Sequence, residues 1–262
     1  MIKKRRPNFW ILPILLLGLL PVVSCMKEDP SFYRRNLPGI WRSPEGLYYK
    51  FQTGSTAYVS GVGAAEDGGQ TWLESRLTYQ VNCCSLQLSG TWSAIEGYPQ
   101  GSHLYREVEF EQMNDSSMVF RNRLFQLDGQ PLSVEERETW QRVVTDVLKD
   151  SLVGIWQTVS LEGVPNDRYR FEFLSTSTNY YYYEHIATAD TTGWILFENN
   201  AGTWRNYDRN LILTTFDNEA WGEAGLSSAF QVEVPVVSPK EGRMEWTMPS
   251  GKWLFKRVTE GE

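Results

Sequence analysis

Few residues of this 262-residue chain have the type and spacing for chemistry, and they are scattered. Glu135, Glu136 and Glu138 form a cluster of acids. As general acid and base they would need a cleft and a perturbed pKa; the same run also reads as a solvated turn. His103 closes the glycine-bearing stretch 97–102, and His185 follows Glu184 and a run of tyrosines. Neither has a second His or a Cys at metal-ligand spacing. Two histidines leave little room for a Ser-His or Cys-His nucleophile, and there is no Gly-x-Ser-x-Gly run. Cys83-Cys84 would form a strained vicinal disulfide, because neighbouring Cα atoms lie about 3.8 Å apart, below the usual disulfide range. Two unpaired thiols in a turn are the simpler reading. In the segment Asp217-Asn218-Glu219-Ala220-Trp221-Gly222-Glu223, acids flank an indole that could stack on a sugar ring. A calcium loop starting at Asp217 would need a bidentate Glu at position twelve, where Ser228 stands. The alternative there is a hairpin loop whose Trp covers a barrel end. The residues therefore predict a non-enzymatic protein with no catalytic residue, no metal and no cofactor. Glu219, Trp221 and Glu223 are its candidate ligand contacts.

The elements that carry these residues are strands. The composition, 41% hydrophobic and 22% charged, excludes a disordered chain. Aromatics reach 14%, with 11 Trp and 13 Tyr, which favours pleated strands. Three cysteines exclude a disulfide scaffold.

The chain repeats itself. Leu37-Pro38-Gly39-Ile40-Trp41 returns as Leu152-Val153-Gly154-Ile155-Trp156, and Gln141-Arg142-Val143 as Lys256-Arg257-Val258, both displaced by 115 residues. Between these ends, Tyr49-Lys50-Phe51 through Tyr58 lies on Phe171-Glu172-Phe173 through Tyr180. Thr78-Tyr79, then Leu86 and Leu88, lies on Thr203-Trp204, then Leu211 and Leu213. Matches in one order divide the chain into units at 37–144 and 152–259, joined by 145–151. In unit one the apolar alternation and turn signals predict strands at 46–52, 56–62, 71–81, 85–92, 104–113, 117–127 and 138–144. Unit two offers 168–173, 180–183, 194–197, 210–214, 230–237, 244–248 and 252–258, with Pro235 marking an edge or bulge. About eight short strands per unit suit a small closed barrel. One segment has two readings. Ser133-x-x-Glu136 has capping-box form, and Trp140, Val143, Val144, Val147 and Leu148 fall at helical spacing. The repeat instead requires a strand at 138–144 with a helical turn on either side.

Residues 1–24 read as a targeting segment: Lys3, Lys4, Arg5 and Arg6, then an apolar stretch from Phe9 to Val23. That stretch is short for a spanning helix, which needs about 20 apolar residues. Its ending, Val22-Val23-Ser24-Cys25, resembles a bacterial lipobox, which implies cleavage before Cys25 and lipid attachment to it. Residues 25–36 would be the lipidated tether, and Met26-Lys27-Glu28-Asp29 resembles the surface-export signal of Bacteroidetes lipoproteins. Cleavage removes four of the 25 basic residues and none of the 32 acids, taking the net charge from −7 to about −11. An acidic body argues against nucleic acid as a partner.

Gly39-x-Trp41 and Gly154-x-Trp156 resemble the Gly-x-Trp opening of lipocalins, in which an Arg of the last strand packs over the Trp. Arg142 and Arg257 stand where that Arg belongs. The closer likeness is to the lipocalin-like domains of Bacteroidetes lipoproteins. It implies an all-β chain of two tandem lipocalin-like barrels, lipid-anchored in the outer membrane. Barrels filled by their own aromatics would act as a binding or assembly-accessory module, touching a protein or glycan partner through their loops. Carriage of a small apolar ligand is the alternative, and polysaccharide hydrolysis a third reading. The rings of Tyr49, Phe51, Phe171, Phe173 and alternate members of Tyr180–Tyr183 are expected to fill the lumens.

Overall fold

The structure is a computed structural model and describes residues 30–64, 70–92, 101–188, 192–196, 201–215, 229–248 and 250–259. A short helix, α1 (Pro30–Asn36), precedes β1 (Gly39–Arg42), β2 (Tyr48–Phe51), β3 (Thr56–Ala64), β4 (Gln70–Asn82) and β5 (Ser85–Trp92). Then come β6 (Ser102–Met113), β7 (Ser117–Leu127), the two-residue β8 (Gln130–Pro131) and β9 (Arg137–Val143). All but β8 form an antiparallel ring in which β6 pairs with β7, β7 with β9, and β9 with β1. After a helical turn, α2 (Lys149–Leu152), the plan repeats. Its members are β10 (Gly154–Leu161), β11 (Val164–Pro165), β12 (Tyr169–Phe173), β13 (Asn179–Ala187), β14 (Thr192–Ile195) and β15 (Ala201–Tyr207). They continue with β16 (Asn210–Thr215), β17 (Ala229–Ser238), β18 (Arg243–Met248) and β19 (Gly251–Val258). Here β10 closes on β19, while β11 and β14 are side pairings. The chain is thus all-β: two closed eight-stranded barrels in tandem, with no free edge in either ring.

Strand periodicity builds the cores. In β6, Leu104, Arg106, Val108 and Phe110 are buried while the residues between them are not. Inside barrel 1, Tyr49 stacks on Trp140 at 3.9 Å between ring centroids, and Phe120 meets Trp140 at 4.9 Å. Inside barrel 2, Trp246 lies 4.9 Å from Phe171 and 4.5 Å from Phe255. Each barrel is plugged at one end by the helix that precedes it. Tyr33 of α1 stacks on Phe110 at 4.5 Å, and Leu37 is fully buried in the same core. Leu148 and Leu152, flanking and ending α2, are buried in the second core. The joint 145–151 is therefore mostly folded chain rather than a free spacer.

The barrels also touch. Tyr48 and Val143 of the first and Ile212 of the second bury one another, with Ile40, Trp72 and Tyr207 around them. Tyr48 lies 4.4 Å from Tyr207, and the Arg205 guanidinium sits 5.0 Å over Trp72. The backbone joins as well: Asp208 N–H donates to the Val144 carbonyl at 2.8 Å, and Val144 N–H to Asp208 Oδ1 at 2.9 Å.

Three local expectations meet the structure here. Residues 137–143 form a strand, as the repeat requires, and a helical turn follows at 149–152; none precedes it. The Ser133–Glu136 motif opens no helix because the carbonyls of Glu135 and Glu136 accept hydrogen bonds from Asn122 instead. Pro235 lies inside a register shift between Glu233 and Val236, where its missing N–H breaks no ladder. The repeat alignment slips by one residue at the β2–β3 turn. Phe51 faces Ala57, and its counterpart Phe173 faces Tyr180, so Tyr180 corresponds to Ala57 and not to Tyr58.

Candidate functional site

The Gly-x-Trp and Arg residues form one clasp per barrel, at the plugged end. Trp41 pairs across strands with Arg142, and Trp156 with Arg257. Both indoles are fully buried. Trp41 Nε1 donates to the Leu37 carbonyl at 2.8 Å, and Trp156 Nε1 to that of Leu152 at 2.7 Å. The Arg142 guanidinium lies 4.3 Å over Trp41 and donates to the carbonyls of Pro38 and Asn36. Arg257 lies 5.8 Å over Trp156 and donates to the Val153 carbonyl at 3.0 Å. The glycines are required by both backbone and space. Gly39 has φ +134° and Gly154 φ +122°, and a Cβ there would stand 2.7 Å from Arg142 and 3.0 Å from Arg257. The clasp ties the first strand, the last strand and the plug together.

The acid cluster divides. Glu135 and Glu136 are exposed, but Glu138 points into barrel 1 and is buried with Arg106. Arg106 Nη2 donates to Glu138 Oε1 at 2.5 Å, and Asn122 Nδ2 to the same oxygen at 2.6 Å. Trp140 Nε1 donates to Glu138 Oε2 at 2.8 Å, so both carboxylate oxygens are bonded. Arg106 also donates twice to Asn122 Oδ1 and lies 5.1 Å from the Phe125 ring centroid and 5.4 Å from that of Trp140. Burial pushes the neighbouring Tyr49 hydroxyl up to about 12. Glu138 thus departs from the solvated-turn reading, because strand alternation sets its side chain inward. With both oxygens occupied, this buried carboxylate ties Arg106, Asn122 and Trp140 together inside the lumen. Sequence reasoning missed Arg106 as its partner, although it shares the inward phase of Leu104, Val108 and Phe110. In barrel 2, Trp253 takes the register position of Glu138, and Trp246 that of Phe120.

His103 and His185 lie apart. The His103 N–H donates to Asp128 Oδ1 at 2.7 Å, and that backbone bond is the main reason the Asp128 carboxyl sits below its usual pKa. The His185 ring lies 5.1 Å from that of Trp194. Cys83 and Cys84 are free thiols in the β4–β5 turn, the first exposed at φ 54°, the second buried. Among the described residues, no three His, Cys, Asp or Glu side chains gather as metal ligands would. Cys25, Glu219, Trp221 and Glu223 lie outside the described residues. Thr215 and Ala229, which flank the last three, stand at the end of barrel 2 opposite the Trp156–Arg257 clasp. No known protein family and no curated protein matches this chain.

Proposed function

We propose that this protein is a non-enzymatic lipoprotein of the outer membrane, held by lipid on Cys25, that binds a protein or glycan partner through its exterior and loops. The observation that carries the reading is the contact of aromatic rings from non-adjacent strands inside both lumens, 3.9 Å between Tyr49 of β2 and Trp140 of β9 and 4.9 Å between Phe171 of β12 and Trp246 of β18. An eight-stranded barrel is only just wide enough for its own side chains. Rings that meet from non-adjacent strands occupy volume that a carried lipid would need, which supports surface contact over carriage. Glu219, Trp221 and Glu223 are the first contacts to test. Titration with a fluorescent fatty acid and with a panel of neutral glycans checks the reading. Glycan binding weakened by Trp221→Ala is the expected result, and tight uptake of one fatty acid per barrel would restore the carrier. Labelling with a fatty-acid probe tests the anchor; label retained by Cys25→Ala would sink it.

A further inference from the structure

The barrels differ in charge on one equivalent outer face. In barrel 2 a single register row crosses five neighbouring strands: Arg243 of β18, Lys256 of β19, Gln157 of β10, Arg170 of β12 and Tyr183 of β13. Their chain neighbours Met244, Phe255, Trp156, Phe171 and Tyr182 pack inward, so the row lies outside. The same row of barrel 1 consists of Ser117, Gln141, Arg42, Tyr48 and Ser60. Barrel 2 thus carries three cations where barrel 1 carries one. The indole two residues beyond the row is kept: Trp72 pairs with Val62, and Trp194 with His185. In barrel 1 this face is a docking surface, with Tyr48 against Tyr207 and Trp72 under the Arg205 guanidinium. In barrel 2 Arg170 stands in the place of Tyr48. Its guanidinium lies 4.0 Å over Trp194, held by bonds of 2.9 and 3.1 Å to Gln157 Oε1. Arg243 and Lys256 are exposed. Two acids, Glu245 and Glu172, stand on the outward side of these strands, and both are engaged. Lys252 Nζ donates to Glu245 Oε1 at 2.6 Å, and the Tyr183 hydroxyl to Glu172 Oε2 at 2.5 Å. Arg243 stands 3.8 Å from the other Glu245 oxygen, with 59% of its side chain exposed. Lys256 has no acidic partner among the described residues. Like charges directly opposite one another, as in the Arg243–Lys256 pair, are unfavourable, and an anion bound between them turns that repulsion into attraction.

We infer that this outer face of barrel 2 binds an acidic polysaccharide, a polymer of carboxylate-bearing sugars. Arg243 and Lys256 meet its carboxylates. Arg170 adds charge beside Trp194, whose indole offers apolar area to a sugar ring. The row spans four strand spacings, about 19 Å at about 4.8 Å each, which suits an extended chain rather than a single ion. The three exchanges, Ser117 for Arg243, Gln141 for Lys256 and Tyr48 for Arg170, mark a change of occupant from the neutral face of another barrel to an anion. The acidic body as a whole repels a polyanion, but salt screens charges beyond about 8 Å at physiological ionic strength, so the row dominates at contact. Duplex DNA carries a charge about every 1.7 Å, and most of its phosphates would face the acidic remainder of the surface; a polyuronate carries one carboxylate per sugar. The assignment rests on the exterior binding a glycan, but shares no residue with Glu219, Trp221 and Glu223.

Calorimetric titration of the full chain with a galacturonate hexamer, the methyl ester of that hexamer and a DNA oligomer provides the test. The ester keeps the sugar backbone and removes the charge. The expected result is saturable binding of the acid form that weakens with added salt, with the ester and the DNA at least about 10-fold weaker. Arg243→Ser combined with Lys256→Gln installs the barrel 1 residues. It should weaken hexamer binding about 10-fold, the range of one or two partly screened charged hydrogen bonds, without lowering the melting temperature. Lys50→Gln removes an exposed cation of barrel 1 outside the row and should leave the affinity unchanged. No response to the hexamer, equal affinity for the ester, tighter binding of DNA, full affinity in the double variant, or an equal loss in Lys50→Gln would overturn the assignment. Any of these together with neutral-glycan binding lost in Trp221→Ala would remove this face and leave the loop contacts standing.

Discussion

At the residue scale, the clasp is the most constrained feature of each barrel. Trp156→Ala removes a fully buried indole and its bond to the Leu152 carbonyl. A loss of about 3–5 kcal/mol is expected. Arg257→Ala should cost less, and a double-mutant cycle by denaturant melting should give a coupling of about 0.5–3 kcal/mol. Trp41 and Arg142 should couple more strongly, since their 4.3 Å separation is shorter than the 5.8 Å of the second pair. Additive losses would mean that the stacking contributes nothing. Glu138 belongs to the same scale. Glu138→Ala leaves Arg106 charged and buried, and should cost about 3–5 kcal/mol by chemical denaturation. Replacing Glu138 and Arg106 together with apolar residues of similar volume should recover much of that loss.

At the scale of elements, the plugs and the joint decide whether the barrels are independent. The repeat predicts two units that fold alone, with a charged spacer, Lys149-Asp150-Ser151, between them. In the structure Leu148 and Leu152 anchor the joint in the second core, and Ile212 and Tyr48 are buried between the barrels. A fragment of residues 146–262 keeps its own plug and clasp, and should give a β-type spectrum and a cooperative melt. It exposes Ile212 and Tyr207, so it should melt below the full chain. Adding the first barrel's Tyr48→Ala to the full chain should move its second-barrel melt toward that of the fragment. Equal melting of fragment and full chain would show that the contact carries no energy.

At the scale of the whole molecule, buried tyrosines make the fold sensitive to alkali. Burial raises the Tyr48 and Tyr49 hydroxyls from 10.0 to about 12, and raises Tyr180 as well. In each the fold favours the neutral form. Their contribution to stability is therefore complete below the unfolded value of about 10 and lost as pH rises from there toward the folded value. Tyrosinate absorbance and the β-type spectrum, followed together above pH 10, should change in one step for these residues. Tyrosines that all ionise freely before unfolding would contradict their burial.

Much of this molecule was legible in its sequence. The alternation of strands such as 104–113 and the return of Gly-x-Trp and Arg at one offset determined two all-β units, because a pleated strand repeats every two residues and a repeated unit buries equivalent positions. Even Arg106 was readable, since its phase is that of Leu104 and Val108. Tertiary structure decided the rest. Helical spacing at 140–148 arose from a strand facing one core and a turn facing the other, which no single period describes. The one-residue difference at the β2–β3 turn reversed which tyrosine of unit two faces inward, since a slip of one residue moves a side chain to the opposite face. The inter-barrel contact had no pattern of its own: Tyr48, Trp72, Tyr207 and Ile212 lie on outward faces of separate strands, and only the docking of two closed barrels brings them together.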